Sequence, residues 1–197
     1  MEIRCERWEV TPLASPRLIR HCAGCNETQP FVCAGTFRVN AHRKRLDVWL
    51  NYRCERCDAA WKYPVIERRP VGEIEPQRLE AFFRDDPLVA RWLAFDIARM
   101  RKQGVLVDAS TEVYVRRVTI VATIDDLAPL CIRLAVPLPC AVRLDRLLAR
   151  QLGLSRAALR DLDRRGELHV WPARERALRT TISDGQYIRL WTPALVN

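Results

Sequence analysis

The feature that most restricts what this chain can fold into is a pair of Cys-x-x-Cys turns, Cys22-Ala23-Gly24-Cys25 and Cys54-Glu55-Arg56-Cys57, separated by 28 residues. A tight turn of this kind can present two thiolates to one ion through sulfur–metal bonds of about 2.3 Å. The intervening stretch is long enough for a β-hairpin, which would bring the second turn back beside the first. Four thiolates then complete a tetrahedral site with no position left for water or substrate, so the site serves folding and not catalysis. Cys22, Cys25, Cys54 and Cys57 are therefore read as ligands of one structural Zn²⁺, with a redox dithiol or a small iron–sulfur site as the alternatives. Gly24 is expected to supply the positive φ that such knuckles often need. Arg20, Arg53 and Arg56 are placed to offset the thiolate charge.

The other cysteines do not share that spacing. Cys33 sits in an apolar run, where a buried thiol acts as a small hydrophobe, and Cys5, Cys131 and Cys140 have no partner at metal-ligand spacing. His21 adjoins the first knuckle as a neighbour or a substitute ligand. No stretch reaches the roughly 18–20 apolar residues that cross a bilayer, and the charged start Met1-Glu2-Ile3-Arg4 has no apolar signal core behind it. A cytoplasmic protein with no membrane partner is expected. In that reducing setting eight cysteines are better explained by a metal than by four disulfides.

The pattern divides the chain into three expected domains: 1–68, a zinc ribbon with an N-terminal extension; 69–141, a helical linker or central α+β segment; and 142–197, a basic module. In the first, strands are expected over Phe31 to Val39, Leu46 to Tyr52 and Ala60 to Val65, with the polar run Asn40-Ala41-His42-Arg43-Lys44-Arg45 as a hairpin loop. In the second, Leu79, Phe82 and Phe83 recur at helical spacing. Val89, Trp92, Leu93, Ile97 and Met100 follow as a second helix, capped by Asp86 before Pro87 and closed by Gly104. Strands follow at Val113 to Val115, Val118 to Val121 and Cys131 to Val136.

In the third segment Leu144, Leu147, Leu148 and Leu152 form one helical stripe opposite Arg143, Arg146 and Arg150. Gly153 stops that helix and Ser155 caps another, in which Leu159 and Leu162 keep the apolar face while Arg156, Arg160 and Arg164 align along one ridge. Strands at Leu168 to Trp171 and Tyr187 to Leu190 complete a small sheet.

The net charge of +9 is unevenly spread: residues 1–70 carry 13 basic and 8 acidic side chains, 71–141 carry 9 and 10, and 142–197 carry 11 and 6. Basic ends point to a polyanion as partner, although an arginine-rich genome would produce the same bias, and the chain has only three lysines. At the hairpin tip Arg43, Lys44 and Arg45, with Arg38 and His42, lie near Trp49, Tyr52, Trp61 and Tyr63. Cations interleaved with aromatics suit nucleic acid, and the same aromatics suit a small core.

The runs Arg143-Leu144-Asp145-Arg146-Leu147-Leu148-Ala149, Leu154-Ser155-Arg156, Arg165-Gly166-Glu167-Leu168-His169-Val170 and Asp184-Gly185-Gln186-Tyr187-Ile188 resemble the RNA-binding domain named after ribosomal protein S-four. That resemblance implies a helix pair docked on structured RNA through Arg143, Ser155, Arg156, Arg160 and Arg165. The chain departs from the domain's Val-Asn-Gly turn, having Val170-Trp171-Pro172-Ala173. Over nearly its full length the chain is also similar to bacterial domain-of-unknown-function family 1062, which carries no assigned activity.

The expected fold class is α+β: an N-terminal zinc ribbon built on a β-hairpin with two knuckles, a central helical hairpin with strands, and a C-terminal S-four-like αα unit plus a small sheet. The expected function is a non-catalytic, zinc-containing RNA-binding protein contacting ribosomal or transfer RNA. A DNA-binding or protein-interaction module is the alternative. No nucleophile with a nearby base, Gly-rich phosphate loop or open metal site is visible, and no small-molecule substrate is indicated. An enzyme acting on RNA through an unusual site stays open. Asp85-Asp86 and Asp125-Asp126 are read as caps or turns.

Overall fold

The computed structural model describes residues 4–121 and 129–191 of the chain. The Asp125-Asp126 turn lies outside the described residues. Contacts divide the chain into two compact units, one of residues 14–109 and one formed by 1–13 with 110–197. The chain thus leaves one unit after its first strand and returns to it almost a hundred residues later.

The 14–109 unit is built on a five-stranded sheet. Its strands are β2 (Arg17–Cys22), β3 (Glu27–His42), β4 (Arg45–Cys54), β5 (Ala60–Pro70) and β6 (Leu106–Asp108), in the order β5-β4-β3-β2-β6 and antiparallel throughout. Strict alternation in β4 explains the two faces: Leu46, Val48, Leu50, Tyr52 and Cys54 are buried, while Arg45, Asp47, Trp49, Asn51 and Arg53 alternate with them on the other side. Three short helices follow β5, namely α1 (Pro76–Phe83), α2 (Pro87–Ala94) and α3 (Ile97–Lys102). Phe82, Ala90, Leu93, Ala94 and Met100 from these helices complete the core.

In place of the single helix expected over Val89 to Met100 there are two. Asp86 Oδ1 accepts from the amides of Leu88 and Val89 at 2.8 and 3.0 Å and starts α2. Asp96 then ends the run by capping a new helix, its Oδ1 accepting from Arg99 N at 3.1 Å. Local side-chain bonding to the backbone competes with helix continuation, and Asp is strong in that competition.

The other unit holds β1 (Arg4–Pro12), β7 (Val113–Val121), β8 (Leu130–Ala135), β9 (Leu168–Trp171) and β10 (Tyr187–Leu190), in the order β7-β1-β8-β10-β9. β1 is antiparallel to β7 and parallel to β8, with Cys5 opposite Cys131 and Trp8 opposite Leu134. Helices α4 (Leu144–Leu152) and α5 (Arg156–Arg164) bury Leu144, Leu147, Leu148, Leu159 and Leu162 with Trp8, Val10, Ile132, Leu134 and Ile188. Gly153 ends α4 at φ 66°, and Ser155 Oγ caps α5 by accepting from Ala158 N at 3.0 Å.

The expected α+β architecture is overturned. The described residues form ten strands in two five-stranded sheets, and the protein is mainly β. There is no minimal zinc ribbon: the cysteine turns sit at the end of a wide sheet. Among the described residues there is no self-contained helical hairpin in the middle and no αα unit with a small sheet at the C-terminus, because α4 and α5 cover a five-stranded sheet in which residues 4–12 supply an interior strand between β7 and β8. Parallel pairing between segments about 125 positions apart leaves no local pattern in the sequence, which is why β1 reads as a mere extension.

Candidate functional site

Each cysteine turn links two neighbouring strands at the same end of the 14–109 sheet. The first follows β2 and feeds β3; the second follows β4 and feeds β5. Register places Cys22 opposite Glu27 and Cys54 opposite Phe31, so the two turns meet. Sγ of Cys22 lies 3.5 Å from Sγ of Cys57, and Sγ of Cys25 lies 3.8 Å from Sγ of Cys54. All four sulfurs fall within 4.8 Å of one another. A disulfide needs about 2.0 Å, so these are free thiols. A tetrahedron with 2.3 Å metal–sulfur bonds has edges of about 3.8 Å, and the observed spacing fits that figure. The four cysteines are thus compatible with a bound metal.

The turns are alike in detail. In each, the residue after the second cysteine takes a left-handed conformation: Asn26 at φ 54° and Asp58 at φ 60°. Asn and Asp tolerate that region better than other residues with a Cβ. Asp58 N donates to Cys54 O at 3.0 Å and closes the second turn. Gly24, expected to provide the positive φ, has a different task. A Cβ at Gly24 would stand 3.0 Å from Cys57 Sγ, so glycine here makes room for the opposing ligand.

Electrostatics within the cluster favour a cation. Burial opposes ionisation of Cys22, but the Cys25 amide and the neighbouring thiols outweigh it and bring the group down to about 7. Cys25 is pushed up to about 12, chiefly by its hydrogen bond with Cys57 and by desolvation. One thiolate is welcome and the next is repelled, and a divalent ion removes that conflict. The Arg20 guanidinium lies 4.0 Å from the Trp61 ring and close enough to Cys22 to feel its charge. Arg53 is engaged by Asp58 at 2.7 Å and Arg56 by Glu27. His21 is exposed and outside the sulfur cluster. Cys33 sits away from it in β3, its sulfur accepting from Gly35 N at 3.4 Å.

The basic tip is remote from this centre. Arg43 and Lys44, both with positive φ of 47° and 62°, turn the β3–β4 hairpin at the end opposite the cysteines. Nine residue steps of β4 separate the two ends, about 30 Å. Of the aromatics in this unit, Tyr52 and Tyr63 are buried in the core and cannot meet a base, while Trp61 is half-buried beneath Arg20.

The arginines of α4 and α5 gather around one carboxylate. Asp145 is 5% exposed and accepts from Arg143 through both oxygens, at 3.1 Å from Nε and 2.6 Å from Nη2. Arg156 Nε donates to the same group at 3.2 Å. Arg146 and Arg160 are exposed, and no carboxylate bonds them among the described residues. Arg164 pairs with Asp161 and Arg165 with Glu167. The Ser155 hydroxyl is occupied in capping α5. Arg160, Arg164, Arg176 and Arg179 line a shallow cleft of about 670 Å³ that also contains Asp145, Asp161 and Asp163.

One cluster has no counterpart in the sequence reading. His169 and Trp171 on β9, Tyr187 on β10 and the following Trp191 form a connected set of rings, with centroid distances of 5.6 Å (His169–Trp171), 5.6 Å (Trp171–Tyr187) and 5.9 Å (His169–Trp191). The available signal was the alternation in each short strand, which puts Leu168 and Val170 on one face and His169 and Trp171 on the other.

Among the described residues no helix is long and apolar enough to cross a membrane. No curated protein and no solved structure matches the chain. One protein family does, over residues 39–173, a span shorter than the nearly full-length likeness expected and one that leaves the first cysteine turn outside it. By that match, which covers more than half of its residues, the chain belongs to the family described as protein of unknown function (DUF1062).

Proposed function

We propose that this is a non-catalytic RNA-binding protein in which Cys22, Cys25, Cys54 and Cys57 hold a structural Zn²⁺ and the arginines of α4 and α5 grip a phosphate ridge. The observation that carries the RNA reading is the clamp at Asp145. A buried carboxylate holds Arg143 and Arg156 side by side across the two helices, which lowers the ordering cost of presenting them to phosphates. Arg160 lines the cleft that contains Asp145, and Arg146 is a further exposed cation on α4. Arg164 and Arg165, paired with Asp161 and Glu167, would exchange a carboxylate for a phosphate. Arg43, Lys44 and Arg45 supply a separate basic tip in the other unit. The choice of structured ribosomal or transfer RNA over DNA rests on the sequence likeness of residues 143–190 to the ribosomal-protein-S-four-type domain.

Zinc is the metal that four thiolates in a closed tetrahedron favour, and its role here is to fasten two turns rather than to activate water. The test is a gel-shift titration of a structured RNA hairpin against Arg156→Glu combined with Arg160→Glu. Binding should fall at least tenfold, and affinity for the unaltered protein should drop steeply with salt as each neutralised phosphate releases counterions. Unchanged binding by the double variant ends the assignment. Elemental analysis of the same preparation should find one zinc per chain.

A further inference from the structure

The sheet of β7, β1, β8, β10 and β9 has α4 and α5 packed on one face. Its other face carries a row that the register defines: Trp171 stands opposite Tyr187, Tyr187 opposite Arg133, and Arg133 opposite Arg7. Residues directly opposed across strands share a face, with neighbouring strands about 4.8 Å apart. Two aromatics and two arginines therefore follow one another across four strands. The adjacent row pairs His169 with Arg189.

Among the described residues, several groups on this face are left open. Trp171 is 44% exposed and meets Tyr187 at a tilt of 54°, so neither ring covers the face of the other. Arg133 is exposed and has no carboxylate partner among the described residues. Arg189 lies with its guanidinium 4.0 Å from the Trp191 ring, and its buried Nε has no hydrogen-bond partner. A buried cationic donor without an acceptor is costly, and it leaves this guanidinium short of an anion. The carboxylate on the same face of β1, Glu9, is already held by Arg7 and Arg116. Rings with free faces beside cations short of anions complement a chain of bases and phosphates.

We propose that this open sheet face is a stacking platform for single-stranded RNA, with bases on Trp171 and Tyr187 and phosphates on Arg133 and Arg189. The choice of RNA rests on the function proposed above; the platform lies on the opposite side of the sheet from the helix pair and takes an unpaired segment instead of a folded one.

The experiment uses the full chain, a fluorescein-labelled 12-nucleotide oligo(U) RNA, its DNA counterpart and a structured RNA hairpin, each followed by fluorescence anisotropy at low salt. Trp171→Leu keeps apolar bulk but removes the ring and should weaken oligo(U) binding at least fivefold. Trp171→Phe restores a ring and should stay within about twofold of the natural protein. Arg133→Gln should lower the salt slope by about 0.7. Hairpin binding should be unmoved by Trp171→Leu and lost in Arg156→Glu with Arg160→Glu. If the Leu and Phe variants bind oligo(U) alike, or the natural protein does not bind oligo(U) at all, the platform is wrong even where hairpin binding persists. Tenfold tighter binding of the DNA strand overturns RNA as the occupant. Loss of hairpin binding alone in the helix variants leaves the platform standing and supports it as a separate site. Thermal melting of each variant confirms that it is folded.

Discussion

The two sheets of this protein solve the same problem by different means. In the 14–109 unit β2, β3, β4 and β5 are neighbours both in sequence and in space, joined by tight turns, and two of those turns bring four cysteine sulfurs within 4.8 Å of one another. In the other unit the interior strand β1 arrives from the far end of the chain, lies parallel to β8 and is held by apolar burial of Trp8 and Val10 and by the buried Glu6 carboxylate with Arg4 and Arg117, with no metal-ligand group among the described residues. Local pairing closes small loops at low entropic cost, and the proposed metal would cross-link them at the open end. Long-range pairing closes one very large loop and depends on a continuous core.

That contrast can be broken most forcefully at the cysteines. Cys54→Ser, or treatment with a strong chelator, should expose β2 to β5 to hydrogen exchange while β1 and β8 keep their protection. Coupled zinc binding contributes ~10 kcal/mol in small structural sites. Even a quarter of that lowers the melting temperature by roughly 10–20 °C for a unit of this size. Equal exchange in both units after chelation would erase the distinction.

The matching test in the other unit falls on Glu6. It is 3% exposed and accepts from Trp8 Nε1 at 2.7 Å, from Arg4 at 2.7 Å and from Arg117 at 2.9 and 3.0 Å. Burial by itself would raise its pKa, but these donors outweigh burial and hold the carboxyl below its ordinary value. A folded value below the unfolded one gives stability that is present above the unfolded pKa and is lost as pH falls through the folded one. Stability measured by urea titration should therefore decline in acid, and Glu6→Gln should flatten that decline at a cost of about 2 kcal/mol at neutral pH, discounted for the partly exposed arginines.

Gly24→Ala probes the closeness of the turns and should weaken metal affinity roughly 10-fold, read by competition with a chromogenic chelator, because the new methyl crowds Cys57 Sγ. The smallest effect is expected at the hairpin tip. Replacing Arg43-Lys44 by Asn-Gly suits the left-handed φ of both positions and should stabilise the 14–109 unit by about 1 kcal/mol. A loss of stability instead would mean that the two cations contribute to the fold through contacts of their own.

What could be read along the chain follows from range. The cysteine spacing named four residues whose sulfurs do converge, since a turn and a hairpin are local objects. The caps at Asp86 and Ser155 were legible because each rests on bonds within three residues. The break at Asp96 was missed although its signal was the same, because the apolar period continues through it. Tyr52 and Tyr63 looked like partners for a base until β4 and β5 paired and turned both inward.

The sequence alone determined the cysteine cluster, the amphipathic stripes of α4 and α5 and the arginines opposite them, because each depends on neighbours a few residues away. Tertiary structure decided that β1 belongs with the C-terminal half, that Gly24 is needed for space rather than for φ, and that His169, Trp171, Tyr187 and Trp191 meet on one face. Those outcomes depend on which strands pair. Strand pairing between distant segments is set by total apolar burial across the whole chain, a quantity no short stretch of residues carries.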